Sequence, residues 1–531
     1  MRKIIILSIV LLFSFYAKAQ QNIEFVGDLF YPSGLSDIWG YTDSTGIEYA
    51  LVAVKGTSGQ TGGLSVVSLN DPALPEEVHF SSGTNSIWRD IKTYNGFAYV
   101  TTEATDGLLI IDLNSLPDET GITDSTFWGE NWTRSHNLYI DENGIMYIFG
   151  ANRDNGGVIM YDLNDDPWTP DELGSYEAAY VHDGMARGDT LYTGNVYLGT
   201  FSAVDVSDKT SPVYLGGAET PNSFCHNVWV SDDGNYVYTT DEQAGAYLTG
   251  FSISDMDDVE ETDRIRYDPG SNTIVHNVHV MNDYLITSYY KAGITIHDVT
   301  DPYNIIQTGH YDTSPQSGSG FNGAWGVYPF FDSETLVVSD ISEGLFVLTP
   351  TYTRASRLEG LITDGPTGNA IFDANIEILS TEIEATDDSD VLGYYKTGMA
   401  EEGLFDVLVQ KVGYDDVLVE DVSFTNGVAT VLNVVMGDIS SSVGEEWNNS
   451  TVKIYPNPIN DQFTISVPNN SELISIELRI IDLTGKEVYR ELRNAQNDLL
   501  IVDPELNNGI YILNIYSDDT ILYTEKITVI K

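Results

Sequence analysis

Between residues 21 and 352 apolar and polar positions alternate in short runs, as in HNLYIDENGIMYIFG (136–150), HNVWVSDDGNYVYTT (226–240) and HNVHVMNDYLITSYY (276–290). A period of two is the signature of strands with one face turned inward. The runs are separated by Asp, Asn and Gly clusters, the residues that tight hairpin turns require. A third run in each unit is apolar and β-branched (GLLIIDL, GGVIMYDL, GITIHDVTDP), and a fourth is poorer (SPVYLGG, YNIIQTGHY). These units recur about every 45–50 residues, a period that predicts propeller blades of four antiparallel strands. Their starts fall near Trp39, Arg89, His136, His182, His226, His276 and Trp325, which gives seven blades in preference to six or eight.

The seventh unit lacks a convincing fourth strand, whereas NIEFVGDLFYP (22–32) reads as a fourth strand without a blade. Pairing the two would complete the last sheet and remove an exposed edge. After Tyr352 the pattern changes. Residues 356–437 alternate through about seven short strands, enough for a β-sandwich, residues 438–450 (DISSSVGEEWNNS) read as a polar linker, and residues 451–531 return to alternating strands. The predicted fold is all-β: a seven-bladed propeller over 20–352 followed by two small β-sandwich domains.

Three resemblances sharpen this reading. The third strands GLLIIDL, GGVIMYDL and GITIHDVTDP resemble LVIVD repeats of bacterial secreted propellers, including the group called choice-of-anchor B proteins. That implies a propeller and an exported or surface location, and no established reaction. Residues 357–437 resemble the carboxypeptidase-regulatory-like domain through Gly360, Asp364, Thr367-Gly368, Ala374, Asp390, Gly393-Tyr394-Tyr395 and Gly413-Tyr414, which implies a non-catalytic spacer or adhesion module. Residues 451–531 closely resemble the type A sorting domain of the type IX secretion system of Bacteroidetes. The matching positions are Tyr455, Pro456, Asn457, Pro458, Asp482, Gly485, Lys486, Asn508-Gly509, Tyr511 and the terminal Lys526 to Lys531. This implies handling by the type IX machinery, passage across the outer membrane and, often, removal of the domain with attachment at the surface.

The N-terminus agrees with export. Arg2 and Lys3 precede an apolar run from Ile4 to Phe15 and then Ala17-Lys18-Ala19, the layout of a secretory signal peptide over 1–19. The run is too short to cross a bilayer as a helix, and no later segment is apolar enough to do so. The expected location is therefore secreted or outer cell surface, by way of the periplasm. The net charge of −56 sets 80 acidic against 24 basic residues and argues against nucleic acid or an anionic membrane as partner. The terminal segment is the least acidic, with 7 basic and 12 acidic residues over 451–531, as a separate unit would be. One cysteine, Cys225, permits no internal disulfide, and it reads as a small buried hydrophobe.

Candidate chemistry concentrates at one repeat position. His136, His182, His226 and His276 occupy it in four successive units, with Trp39, Arg89 and Trp325 in the others; His79, His279, His297 and His310 lie outside the pattern. The residues that follow include Asp90, Asn137, Asp183, Asn227 and Asn277. First strands line a propeller's centre, and loops between second and third strands, carrying Glu103, Asn152, Asn195, Asp241, Glu242, Tyr290 and Asp340, open at the same mouth. Three roles stay open for the histidines: hydrogen-bonded braces between blades, contacts to a ligand, or ligands of a divalent metal. The acidic turns, such as Asp141 to Gly144 and Asp232 to Gly234, lack the ligand spacing of an EF-hand and read as hairpin chemistry. Asp387, Asp388 and Asp390 form a turn that could hold calcium. No GxSxG elbow, HExxH or phosphate loop occurs. Two function classes follow: an exported module binding a ligand, glycan or protein without catalysis, or an extracellular metal-assisted hydrolase or lyase working at the mouth.

Overall fold

The computed structural model describes residues 20–267, 270–379, 385–437, 452–460, 462–466, 475–483, 485–494, 499–517 and 520–531. The predicted signal peptide at 1–19 and the predicted linker at 438–450 lie outside them. The chain divides into two compact units, Met1–Thr353 and Arg354–Lys531.

The first unit contains seven four-stranded antiparallel sheets. Their first strands are Leu35–Thr42, Ile91–Tyr94, Asn137–Ile140, Asp183–Arg187, Cys225–Val230, Val278–Met281 and Ala324–Tyr328. Each neighbours the next sheet, and the seventh sheet returns to neighbour the first. Sheet-on-sheet packing explains the burial gradient. Inner strands are covered on both faces, so Cys225–Val230 and Leu336–Asp340 are buried throughout, polar residues such as Asn227 and Asp340 included. Outer strands face water, and Thr123–Phe127 and Glu260–Ile265 are mostly exposed and polar.

Separate apolar cores fill the spaces between successive sheets. Leu51, Val66, Ile91 and Ile111 join the first to the second, and Ile286, Ile296, Val327 and Val338 join the sixth to the seventh. Ile38, Val52, Val337 and Val347 join the seventh back to the first. The fourth strand of the seventh sheet comes from the chain's beginning: Ile23–Leu29 pairs antiparallel with Gly344–Pro350, from Ile23 opposite Pro350 to Leu29 opposite Leu345. Gln21 also exchanges backbone hydrogen bonds with His310 of the sixth sheet.

The acidic turns serve the hairpins. The Asp141 carboxylate accepts hydrogen bonds from the backbone N–H groups of Asn143 and Ile145 and from the Tyr147 hydroxyl.

In the second unit, residues 356–436 form two sheets of eight strands in all, one more than the pattern suggested, around Leu358, Ile376, Tyr395, Val407 and Met436. The calcium candidates there are engaged locally. Asp390 accepts from the N–H groups of Leu392 and Tyr394, Asp387 from that of Lys396, and Asp388 from the Asn375 amide. Residues 453–529 form a three-stranded and a four-stranded sheet with a second core that includes Ile454, Phe463, Leu478, Leu513 and Ile527.

Candidate functional site

Strand register fixes which residues of the seven inner strands are equivalent. In the fifth sheet Cys225 pairs with Asp241 and Asn227 with Thr240, leaving His226 in a bulge; in the seventh Ala324 pairs with Asp340 and Gly326 with Ser339, leaving Trp325 in the same place. A bulge of this kind re-aims one side chain out of the ladder. In the first sheet Leu35 pairs with Val54 and Ile38 with Val52, so Ser36 and Asp37 occupy this place. The sequence alignment of that unit was therefore three residues out. Trp39 lies deeper along the strand, against Tyr328 and His279, with the Lys92 ammonium 4.4 Å from its ring centre.

Three levels of side chains result. The outermost holds Arg89, the four histidines and Trp325. The imidazoles stand in a row, each ring tilted against the next, with ring centres 3.9 Å apart for His136 and His182, 4.2 Å for His182 and His226, and 4.6 Å for His226 and His276. Beneath lies a polar level. There Asp183 accepts from the Asn227 amide at 2.8 Å, Asn227 accepts from the Val278 N–H at 3.0 Å, and Asp90 pairs with Lys92 at 2.6 Å. Asp183 and Asn227 are thus braces between strands, their polar atoms taken by each other and by the N–H groups of Gly184 and Val278, and they do not line the cavity above. The third level is aromatic: Trp39, Trp229, His279, Tyr328 and Phe330 pack edge to face or stacked. The free Cys225 is buried, and burial raises its thiol pKa, as an inert core residue requires.

Above the polar level is a cavity of about 350 Å³. Of the predicted residues, Arg89, Asp90, His136, Asn137, His182, His226, His276, Asn277 and Trp325 line it. Lys55, Ile87, Trp88, Phe321 and Ile341 also line it and were missed by the sequence reading. Lys55 occupies the loop position that Glu242 holds in the fifth sheet, and misregistering the first unit hid it.

The electrostatics follow from enclosure. Burial drives the imidazoles of His182 and His226 well below the ordinary value, the neighbouring histidines adding to the effect, and takes His276 down to about 3. These rings are neutral. Burial raises the Glu242 carboxyl to about 7, opposed by a hydrogen bond from the Tyr290 hydroxyl at 2.5 Å. It lowers Lys55 to about 8 and Arg89 to about 10, which leaves both cationic at neutral pH. Arg89 donates to the Thr84 carbonyl, while its Nε is buried without a partner. The Lys55 ammonium stands 5.6 Å from the Trp325 ring centre. In a first unit so poor in basic residues, two of them face this cavity. His136 Nδ1 meets Glu103 at 2.6 Å, and that hydrogen bond holds the Glu103 carboxyl below its usual range.

The predicted sorting residues form a separate cluster. Asn457 donates to the Lys526 carbonyl and accepts from the Thr528 N–H, both at 2.9 Å, which pins the Tyr455 to Pro458 segment to the final strand. Gly485 (φ +81°) and Lys486 close a turn on Asp482, at a backbone angle that favours glycine.

Residues 453–531 match the family model of the secretion system C-terminal sorting domain. The protein is thereby of the class secreted through the type IX system to the outer surface or the extracellular space. No curated protein matches the chain at a significant level. Among the described residues no helix is long and apolar enough to cross a membrane.

Proposed function

We propose that residues 20–352 are a seven-bladed β-propeller of the LVIVD-repeat, choice-of-anchor B type. In this reading it is displayed outside the cell by its sorting domain and binds a small organic anion in its mouth. The carboxypeptidase-regulatory-like domain at 356–437 acts as a spacer and carries no chemistry. The observation that carries this reading is the cavity: about 350 Å³, open at the mouth, walled by Trp88, Phe321 and Trp325, with Lys55 and Arg89 as cations. That volume is at the lower end of ligand pockets and suits a sugar acid or aromatic acid better than a polymer. An Arg89 Nε without a partner is a donor waiting for an acceptor.

The test uses the mature chain with a panel of uronic, aromatic and dicarboxylic acids, read by thermal shift and calorimetry. At least one class should bind, and Arg89→Gln and Trp325→Ala should each weaken it tenfold or more. A panel that produces no saturable binding, or binding that both variants leave intact, overturns the assignment. A second reading, an extracellular metal-assisted hydrolase or lyase at the same mouth, is favoured by one observation: two neutral imidazoles and a carboxylate stand together there.

A further inference from the structure

Within that mouth, three side chains from two neighbouring sheets converge. The Nε2 atom of His226 is 3.6 Å from one carboxylate oxygen of Glu242, and the Nε2 atom of His276 is 3.8 Å from the other. The three donor atoms all lie within 4.8 Å of one another. A first-row divalent ion with bonds of about 2.1 Å in tetrahedral geometry needs its donors roughly 3.4 Å apart, so small side-chain shifts bring these three onto one ion.

Their surroundings are those of oriented ligands. His276 Nδ1 meets the backbone carbonyl of Trp325, 2.5 Å away. A carbonyl can only accept, so the proton is assigned to Nδ1, and the lone pair of Nε2 is directed toward Glu242. The Nδ1 atom of His226 is buried without a hydrogen-bond partner. Glu242 is steadied by the Tyr290 hydroxyl on Oε1. At His276 one imidazole thus does both: Nδ1 braces the neighbouring sheet and Nε2 faces Glu242.

We propose that His226, His276 and Glu242 bind one divalent transition-metal ion, with the remaining coordination positions open to the cavity. Two imidazoles and one carboxylate suit zinc, iron(II) or nickel rather than magnesium or calcium, which prefer all-oxygen shells. The proposal deepens the reading of the mouth as a binding site. An anion held by Lys55 and Arg89 would reach the open positions, so the ligand class narrows to metal-coordinating acids.

The test uses untagged mature protein stripped with dipicolinate and reloaded with Zn²⁺ or Co²⁺. One equivalent should remain after gel filtration, and Co²⁺ should give the intense visible bands of a low-coordinate nitrogen–oxygen site. Glu242→Gln keeps the shape of the side chain and should lower affinity at least 100-fold with unchanged circular dichroism; His226→Ala with His276→Ala should abolish binding. His79→Ala, at a histidine outside the cavity, should change nothing. Failure to retain metal, or a Glu242→Gln or double variant that keeps the same equivalent as the unaltered protein, overturns the proposal. Arg89→Gln separates this from the anion reading: it should retain the full equivalent of metal while losing the acid. Metal bound without any acid binding would refute the anion reading alone, and acid bound without metal would refute the metal site alone.

Discussion

Deleting residues 20–34 removes the strand that completes the seventh sheet, and the cost can be worked from what that strand buries. Ile23 is 3% exposed and packs with Leu348 and Tyr311; Val26 and Leu29 are half-buried against Val337 and Val347. Burial of one aliphatic side chain is worth about 1.5–3 kcal/mol, and the two half-buried ones add about as much again, for a total of roughly 3–6 kcal/mol. Tyr31 is lost too, with its hydroxyl 2.7 Å from Ser65 Oγ. Against a domain stability of about 5–15 kcal/mol this is a large fraction. At about 2–4 °C per kcal/mol, the melting temperature of the mature chain should fall by about 6–24 °C. The strand Gly344–Pro350 would also present a free edge, so aggregation should rise. Calorimetry and light scattering read both effects. Ile23→Ala keeps the backbone ladder and should cost about 2–4 kcal/mol, separating packing from edge exposure. Equal melting temperatures, within about 2 °C, for the full and shortened chains would refute the reasoning.

Three further outcomes are expected. Replacing Lys92 with Met should destabilise by about 3–5 kcal/mol in chemical denaturation, because it leaves the buried Asp90 carboxylate, 2.6 Å from the ammonium, uncompensated; a neutral or stabilised variant would refute this pair as a stabilising one. The pH dependence should have two opposed limbs. Glu242 at about 7 and Asp183 at about 6 are raised, so their contribution is full below about pH 4 and lost as pH rises toward 7, whereas His276 at about 3 is lowered, so its contribution is present above about pH 6.5 and lost as pH falls toward 3. Melting of metal-free Glu242→Gln should show a shallower neutral limb and an unchanged acid limb, and an identical profile would contradict the assignment. Deleting residues 451–531 should leave the protein in the periplasm of its host, as fractionation would show; normal surface levels would argue against the role of the sorting domain.

The all-β character and the repeat of four-stranded units were legible because the sheets stack face to face, so apolar third strands stand out in every unit. The pairing of residues 22–32 with the last strand was legible from a missing partner at each end. The first unit was misread for a physical reason. Its inner strand carries Ser36-Asp37 where others carry His-Asn, and the nearby Trp39 imitates Trp325. Only register, Ile38 opposite Val52, distinguishes them. Lys55 and Phe321 could not be placed at the mouth from sequence, since loops converge through the arrangement of sheets and not through any local pattern. The same holds for Glu242: its loop was flagged, but its reach to two imidazoles depends on distances that no spacing encodes.

The levels beneath the histidines bear on traffic. Below the cavity floor, Asp37, Asp90, Asp183 and Asn227 are nearly inaccessible, and below them the aromatic side chains interlock. Among the described residues these levels floor the cavity, so the route open to a ligand is from the side that Trp88 and Phe321 line, and arrival and departure compete for it. A bulky molecule seated at the rim would trap a smaller one behind it, slowing its escape without touching it.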